Sequence, residues 1–244
     1  MLLPKKKLLI SRRSLLIAAP AILISNKVAD AQFGGCSPAF CSSSQVPALC
    51  APPYATWDPV TAHNVALTGG NLTATNTSPG FSIDQGARII TSRSSGKYYH
   101  EIHTGTGGAF REGNGIVNPA TAYGTFSGNG GGGVWWDGFG STNVFSNGVF
   151  QGTSGATAAN PLCWATDLDN RLIWVRNPGG NWNNNALADP ATAVGGYTIM
   201  PALAMGPCCT FGGFGATPGR ITTANFGSTA FADTPPVGFC GWHL

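Results

Sequence analysis

A glycosidase needs two carboxyl groups flanking the scissile bond, one of them raised in pKa by its surroundings. Beyond residue 31 the glutamates of this chain are Glu101 and Glu112, and no Glu-x-Asp-x-x-Glu spacing occurs. Asp167 and Asp169 would share a face of an extended strand, about 7 Å apart by strand rise. They stand, however, in Asp167-Leu-Asp-Asn170, where short polar side chains satisfy nearby backbone donors, so a turn-capping role is predicted. A serine nucleophile is not signalled, since Gly-x-Ser-x-Gly is absent and Gly152-Thr-Ser-Gly155 has the wrong spacing. His100 and His103 fall on opposite faces of a strand, and His63 and His243 lie near the ends of the mature domain. With no Cys-x-x-Cys pair either, no metal site is predicted. Gly128-Asn-Gly-Gly-Gly-Gly133 matches a dinucleotide glycine pattern in form, but Val134-Trp-Trp136 follows where a phosphate-receiving helix should open. Gly96-Lys97 lacks the remaining positions of a phosphate loop. The expectation is a protein without catalytic residues and without a cofactor.

What remains is aromatic and amide surface. Tyr123, Trp135, Trp136, Asp137, Trp182, Asn183 and Asn184 are the candidate ligand-binding residues. Ring faces against sugar C–H or peptide surfaces, with Asn and Asp bonding to polar groups, make a chemically sensible platform. Strand alternation sends Trp135 and Trp136 to opposite sides, so at least one of the two belongs in the core.

The totals frame these residues. In 244 residues, 43% are apolar, seven are tryptophan and only 9% are charged, which supports one substantial core. Gly 35 and Pro 17 favour many short elements joined by turns. The formal charge of +3 divides unevenly, because Lys5, Lys6, Lys7, Arg12, Arg13 and Lys27 face only Asp30 within residues 1–31. The remainder has seven basic and nine acidic residues. Its basic residues are scattered from Arg88 to Arg220, which excludes the clustered footprint of a nucleic-acid binder.

The basic start, the apolar run Leu15–Ile24 and the small-x-small Ala29-Asp-Ala31 read as a secretory signal over residues 1–31. Ser11-Arg-Arg-Ser-Leu-Leu16 resembles the twin-arginine export motif, with Leu15 where that motif has Phe. Ten apolar residues are too few to span a bilayer, which needs about 20, so no stable membrane span is expected after cleavage. Seven cysteines beyond Ala31 suit an oxidising, periplasmic or extracellular compartment and disulfide bonding. Residues 32–56, rich in Cys, Pro and Ser, read as a linker in which Cys36, Cys41 and Cys50 offer a local bridge. Of the adjacent Cys208 and Cys209, alternation predicts at most one facing the core.

From Trp57 to Leu244 short apolar stretches alternate with turn residues, and no stretch sustains helical periodicity. Strands are predicted over residues 71–75, 87–91, 97–103, 162–166, 171–175, 201–205 and 221–226, with a hairpin centred on 167–180. In the strand 97–103, Tyr98, His100 and Ile102 take one face and Tyr99, Glu101 and His103 the other. Neither face is purely polar, so the strand should be covered on both sides. The fold class is all-β, a two-sheet antiparallel sandwich.

Three phrases carry a family resemblance: Ser95-Gly-Lys-Tyr-Tyr-His-Glu-Ile102, Ala165-Thr-Asp-Leu-Asp-Asn-Arg-Leu-Ile-Trp-Val175 and Ala224-Asn-Phe-Gly227. In this order and at these intervals they resemble a SPRY domain, from about Asn64 to Gly241, and within that family the bacterial and phage-derived members. The resemblance implies a lectin-like jelly roll whose ligands meet loops at one end. It transfers no binding residue, because the matching phrases are core and turn positions. The expected function is a non-catalytic, exported module that recognises a protein or surface glycan through its loop end. A phage- or surface-associated structural accessory protein and a lectin-fold polysaccharide hydrolase are the alternatives.

Overall fold

The computed structural model describes residues 52–78, 85–105, 112–123, 132–137, 142–200, 202–211 and 218–244. Every described residue belongs to the compact unit Gln45–Leu244. The expected signal, the cysteines 36, 41 and 50 and most of the glycine run 128–133 lie outside the described residues.

Two sheets are stacked. The first runs β1 (Val65–Thr68), β2 (Thr73–Asn76), β13 (Ile221–Asn225), β4 (Lys97–Thr104), β9 (Leu162–Asp167), β10 (Leu172–Arg176) and β11 (Tyr197–Thr198), all antiparallel. A short β14 (Cys240–Gly241) adds in parallel to the start of β4, pairing with Tyr98 and Tyr99. The second sheet runs β3 (Gly86–Arg88), β12 (Gly206–Phe211), β5 (Glu112–Val117), β6 (Gly133–Asp137), β7 (Asn143–Ser146) and β8 (Val149–Thr153). The predicted hairpin is β9 and β10, in register from Asp167 opposite Leu172 to Cys163 opposite Arg176. Its far turn closes through Gly180 N donating to Asn177 O at 3.0 Å.

Alternation in β4 is realised on both faces. Tyr98 and Ile102 join Trp57, Trp136, Trp164, Phe211, Phe226 and Trp242 between the sheets. Tyr99 faces the other way, into a layer with Cys163, Ala165 and Trp174 that is roofed by Trp182, Phe231 and Phe239. That roof is why five of the eight residues of β4, Tyr98 to Ile102, are buried: a strand covered on both sides has no solvent face to keep polar.

Two expectations are corrected. The strand predicted over 201–205 is displaced, because β12 begins at Gly206 and only Met205 forms a bridge, to Arg93. The carbonyls just before it serve loops instead: Leu203 O accepts from Arg171 Nη1 and Ala204 O from Asn118 Nδ2, both at 3.0 Å. The second correction concerns Cys208 and Cys209, which do point to opposite faces but are both fully buried. Cys209 lies between the sheets, whereas Cys208 is covered on the outer face by Val117, Tyr123 and Trp135. Burial pushes the Cys208 thiol up to about 12.

Strands β5 and β6 were hidden in the sequence by their glycines. Gly115 pairs with Trp135, and a side chain there would run into the Val134 carbonyl, so glycine permits close backbone approach in mid-sheet. The body of the sandwich also starts ahead of Trp57, since Tyr54 bridges His243 and Ala55 N donates to Trp242 O at 2.9 Å.

Candidate functional site

The expected aromatic and amide platform is not assembled as one surface. Trp136 is 1% exposed between the sheets and donates through Nε1 to Ser154 Oγ at 3.0 Å. Trp135 and Tyr123 belong to the covered outer face of the second sheet. The Tyr123 hydroxyl donates to Thr61 O at 2.7 Å, and the Arg88 guanidinium lies 4.2 Å over its ring. Trp182 is 6% exposed, capped by Arg176 at 4.1 Å. Asn183 is buried and spends its amide on the edge of β10. Its Oδ1 accepts from Val175 N at 2.9 Å, and its Nδ2 donates to Ile173 O at 3.2 Å and Gly195 O at 3.0 Å. Asp137 is half-buried at the end of β6, and Asn184 alone among the seven is exposed. The rings face packed side chains, so they offer no open face for a sugar or peptide.

The polar groups that do converge lie elsewhere, where β4 begins and β9 ends. Lys97 opens β4 opposite Asp167, the last residue of β9. Asp167 is a cap, as its turn chemistry predicts: Asn170 N donates to its Oδ1 at 2.9 Å and Asn170 Nδ2 to its Oδ2 at 2.8 Å. Lys97 Nζ adds an ion pair at 3.1 Å. Burial pushes the Asp167 carboxyl up, but the Asn170 donors and Lys97 outweigh it and hold the group below its ordinary value. Two residues on, Asp169 Oδ1 accepts from Gly96 N at 2.8 Å, tying the β9–β10 turn to the loop before β4. Gly96 has φ +99, and a side chain there would meet the Tyr98 phenol, so glycine is required where that loop enters the strand.

These contacts leave a cleft of about 390 Å³ lined by Ser95, Gly96, Lys97, Tyr98, Asp169, Gly238, Cys240 and His243. Tyr98 stacks on Trp242 at 4.3 Å between ring centroids and lies 5.9 Å from the His243 ring. Burial is the main reason its phenol is raised above its ordinary value, with Arg93 opposing and Asp169 adding. Lys97 Nζ also sits 5.6 Å from the Phe239 ring. The cleft thus has an aromatic wall and a rim carrying both signs of charge.

Neighbouring loops at this end are pinned by arginines and an asparagine. Arg88 Nη1 donates to Pro119 O at 2.6 Å and its Nη2 to Thr121 O. Arg93 Nη2 donates to His243 O at 2.8 Å, and Arg171 and Asn118 hold the loop before β12 as described above. Loops tied by several side-chain bonds to their backbone carbonyls present a preformed rather than a loose surface.

No family model matches the chain, and no curated protein matches it. Among solved structures, it is similar to the SPRY domain of human HERC1, with a TM-score of 0.54 at 17% identity over 71% of this chain and 99% of that one. The fold is that of a SPRY domain. The PSpry domain of TRIM65 is also similar, with a TM-score of 0.49, 14% identity and coverage of 70% and 92%. Stonustoxin follows at 0.48 and 18% identity, this chain spanning 27% of its length. In the SPRY fold seen here, the three sequence phrases are the strand β4, the hairpin β9–β10 and the end of β13.

Sequence reasoning did not name the cleft-lining residues Lys97, Tyr98, Asp169 and His243, although three of them stand within the phrases that mark the fold. The only local signal was a second turn aspartate, Asp169, beyond the one that caps the turn. Its sharing of a cleft with His243 is not local, because β14 pairs with Tyr98 from about 140 residues away.

Proposed function

We propose that the chain is an exported, non-catalytic interaction module that holds a protein ligand at the loop end of its sandwich. The carrying observation is the cleft between Ser95–Tyr98, Asp169 and His243, where polar groups remain for a ligand on rigid strand ends. The Tyr98 hydroxyl and one oxygen of the exposed Asp169 form no hydrogen bond among the described residues. Mixed donors and acceptors beside an aromatic wall match the backbone amides and side chains of a docking polypeptide loop. A sugar platform at this end is disfavoured because the rings expected to build it are buried.

The non-catalytic reading is supported by where the carboxylates are spent. Asp167 caps its turn, and Glu101, 1% exposed, accepts from Tyr99 Oη at 3.0 Å, Ala232 N at 2.8 Å and Asp233 N at 2.9 Å. Such saturated carboxylates are structural pins rather than poised acids or bases.

Panning a displayed peptide library against the purified mature domain tests the reading. Selected binders should lose roughly tenfold or more in affinity, about 1.4 kcal/mol, with the double variant Asp169→Ala and His243→Ala. Phe150→Ala on β8 of the other sheet should leave them unchanged. Binders indifferent to the double variant would place recognition elsewhere.

Export rests on the residue pattern of 1–31 and on cysteine usage. Among the described residues Cys163 and Cys208 are free, buried thiols, and Cys209 is buried as well. Non-reducing intact mass of protein recovered outside the cytoplasm should show loss of residues 1–31 and a mass deficit from disulfide formation. Full-length, fully reduced protein confined to the cytoplasm would contradict it.

A further inference from the structure

We propose a second, independent site on the outer face of the first sheet, for a neutral polyhydroxylated ligand of monosaccharide size. A cleft of about 380 Å³ opens there, lined by the β1–β2 turn, by Thr73, Glu101, His103, Thr223 and Asn225, and by the strap Thr229–Ala232. Its size falls within the roughly 300–1,000 Å³ of small-molecule sites.

The strap wall is fixed before any ligand arrives. Asn225 Nδ2 donates to Thr229 O at 3.3 Å and to Ala230 O at 3.0 Å. Glu101 holds the next two residues through their backbone N–H groups. These two side chains are therefore occupied, and Glu101 is a support rather than a reacting group.

The floor differs. Thr73 Oγ1 and Thr223 Oγ1 lie 3.1 Å apart, and this bond consumes only one of the two hydroxyl protons. His103 is exposed and has no hydrogen-bond partner among the described residues. One spare hydroxyl donor, spare hydroxyl lone pairs and an imidazole that both donates and accepts match adjacent ligand hydroxyls, each of which also donates and accepts. Leu72 and the half-buried Phe231, packed edge-on against Tyr99 at 4.8 Å, supply an apolar border for ligand C–H groups.

Other ligand classes fit poorly. The lining contains no Lys or Arg, and a carboxylate lies in its base, which opposes an anion. A wholly apolar ligand would strip water from two hydroxyls and an imidazole without replacing their bonds.

The test is a titration of the mature protein followed by amide NMR, with methyl β-glucopyranoside, methyl α-mannopyranoside and N-acetylglucosamine as neutral probes and glucuronate and glucose 6-phosphate as anionic ones. Saturable shifts confined to Thr73, His103, Thr223 and 229–232 are expected for at least one neutral probe, at least tenfold tighter than for either anion. The double variant Thr73→Val and Thr223→Val should lose that response tenfold or more at an unchanged thermal midpoint. Should it fold poorly, His103→Ala replaces it with the same expected loss. The Asp169→Ala and His243→Ala variant should bind the probe normally, which separates this site from the loop-end cleft. No saturable response to any neutral probe, equal binding by the variants, or preference for an anion would overturn the proposal.

Discussion

Lowering the pH from 7 to 4 should destabilise the protein by roughly 3 kcal/mol through one residue, His100. The side chain is fully buried between the sheets, with its ring 6.2 Å from Trp164 and its Nδ1 accepting from Trp242 Nε1 at 3.2 Å. Desolvation by burial pushes its pKa down from 6.5 to about 3. The unfolded chain therefore takes up a proton below about pH 6.5 that the folded chain refuses until about pH 3. Stability is unaffected by this group above the first value, falls with pH between the two, and levels off below the second. Urea unfolding at pH 7 and pH 4 measures the loss. In His100→Gln, which keeps an acceptor near Trp242 but does not titrate, the pH-dependent difference should shrink by about the same 3 kcal/mol, whatever the variant's absolute stability. Parallel pH profiles for the two proteins would show that His100 is not the source. Asp167 adds a separate loss at lower pH. Its folded pKa is depressed, so its contribution is present above the unfolded value and disappears as pH falls through the folded one.

Replacing Glu101 with Ala should cost roughly 3–5 kcal/mol, because two backbone N–H groups and a phenol lose a buried acceptor together. The cost is expected to concentrate in the strap 228–239. That segment rests on Glu101, on the Arg176–Asp233 ion pair at 2.8 Å and on Phe231 and Phe239 packed over Tyr99 and Trp174. Hydrogen exchange should show lost protection at Ala232 and Asp233 and at the underlying Cys163, before the inner core between the sheets opens. Glu101→Gln, which restores an acceptor but sets an NH2 group against a backbone N–H, should recover part of the loss. Both clefts have strap residues in their walls, Thr229–Ala232 in one and Gly238 in the other, so Glu101→Ala should weaken binding at each. An Ala variant within about 1 kcal/mol of the parent, with the strap still protected, would show that Glu101 is dispensable as a pin.

The readable parts of the sequence were those where local chemistry and period agree. Lys97–Thr104 alternates aromatic and polar residues with no hydrophilic face, and it is a strand covered on both sides. Asp167 to Asn170 has the side chains of a capped turn, and it forms one. Strands β5 and β6 were opaque because Gly113, Gly115 and Gly133 signal loops by propensity, while their strand state depends on pairing with β12 and β7. Propensity is a weak prior wherever sheet neighbours are long-range.

For the same reason the burial of the candidate aromatic residues was not legible. Trp135, Trp136 and Trp182 are the types that build ligand platforms, but they are also the largest apolar surfaces the chain has to bury. Which use prevails depends on what covers each face. The local order of residues determined that this protein would be an all-β sandwich with a tight β9–β10 turn, because alternation and turn chemistry act over a few neighbouring residues. Only the tertiary structure decided that the strap and the Trp182 turn roof the first sheet, and that Asp169 and His243 line one cleft. Those contacts join segments tens to more than a hundred residues apart, and no local pattern encodes which of them will meet.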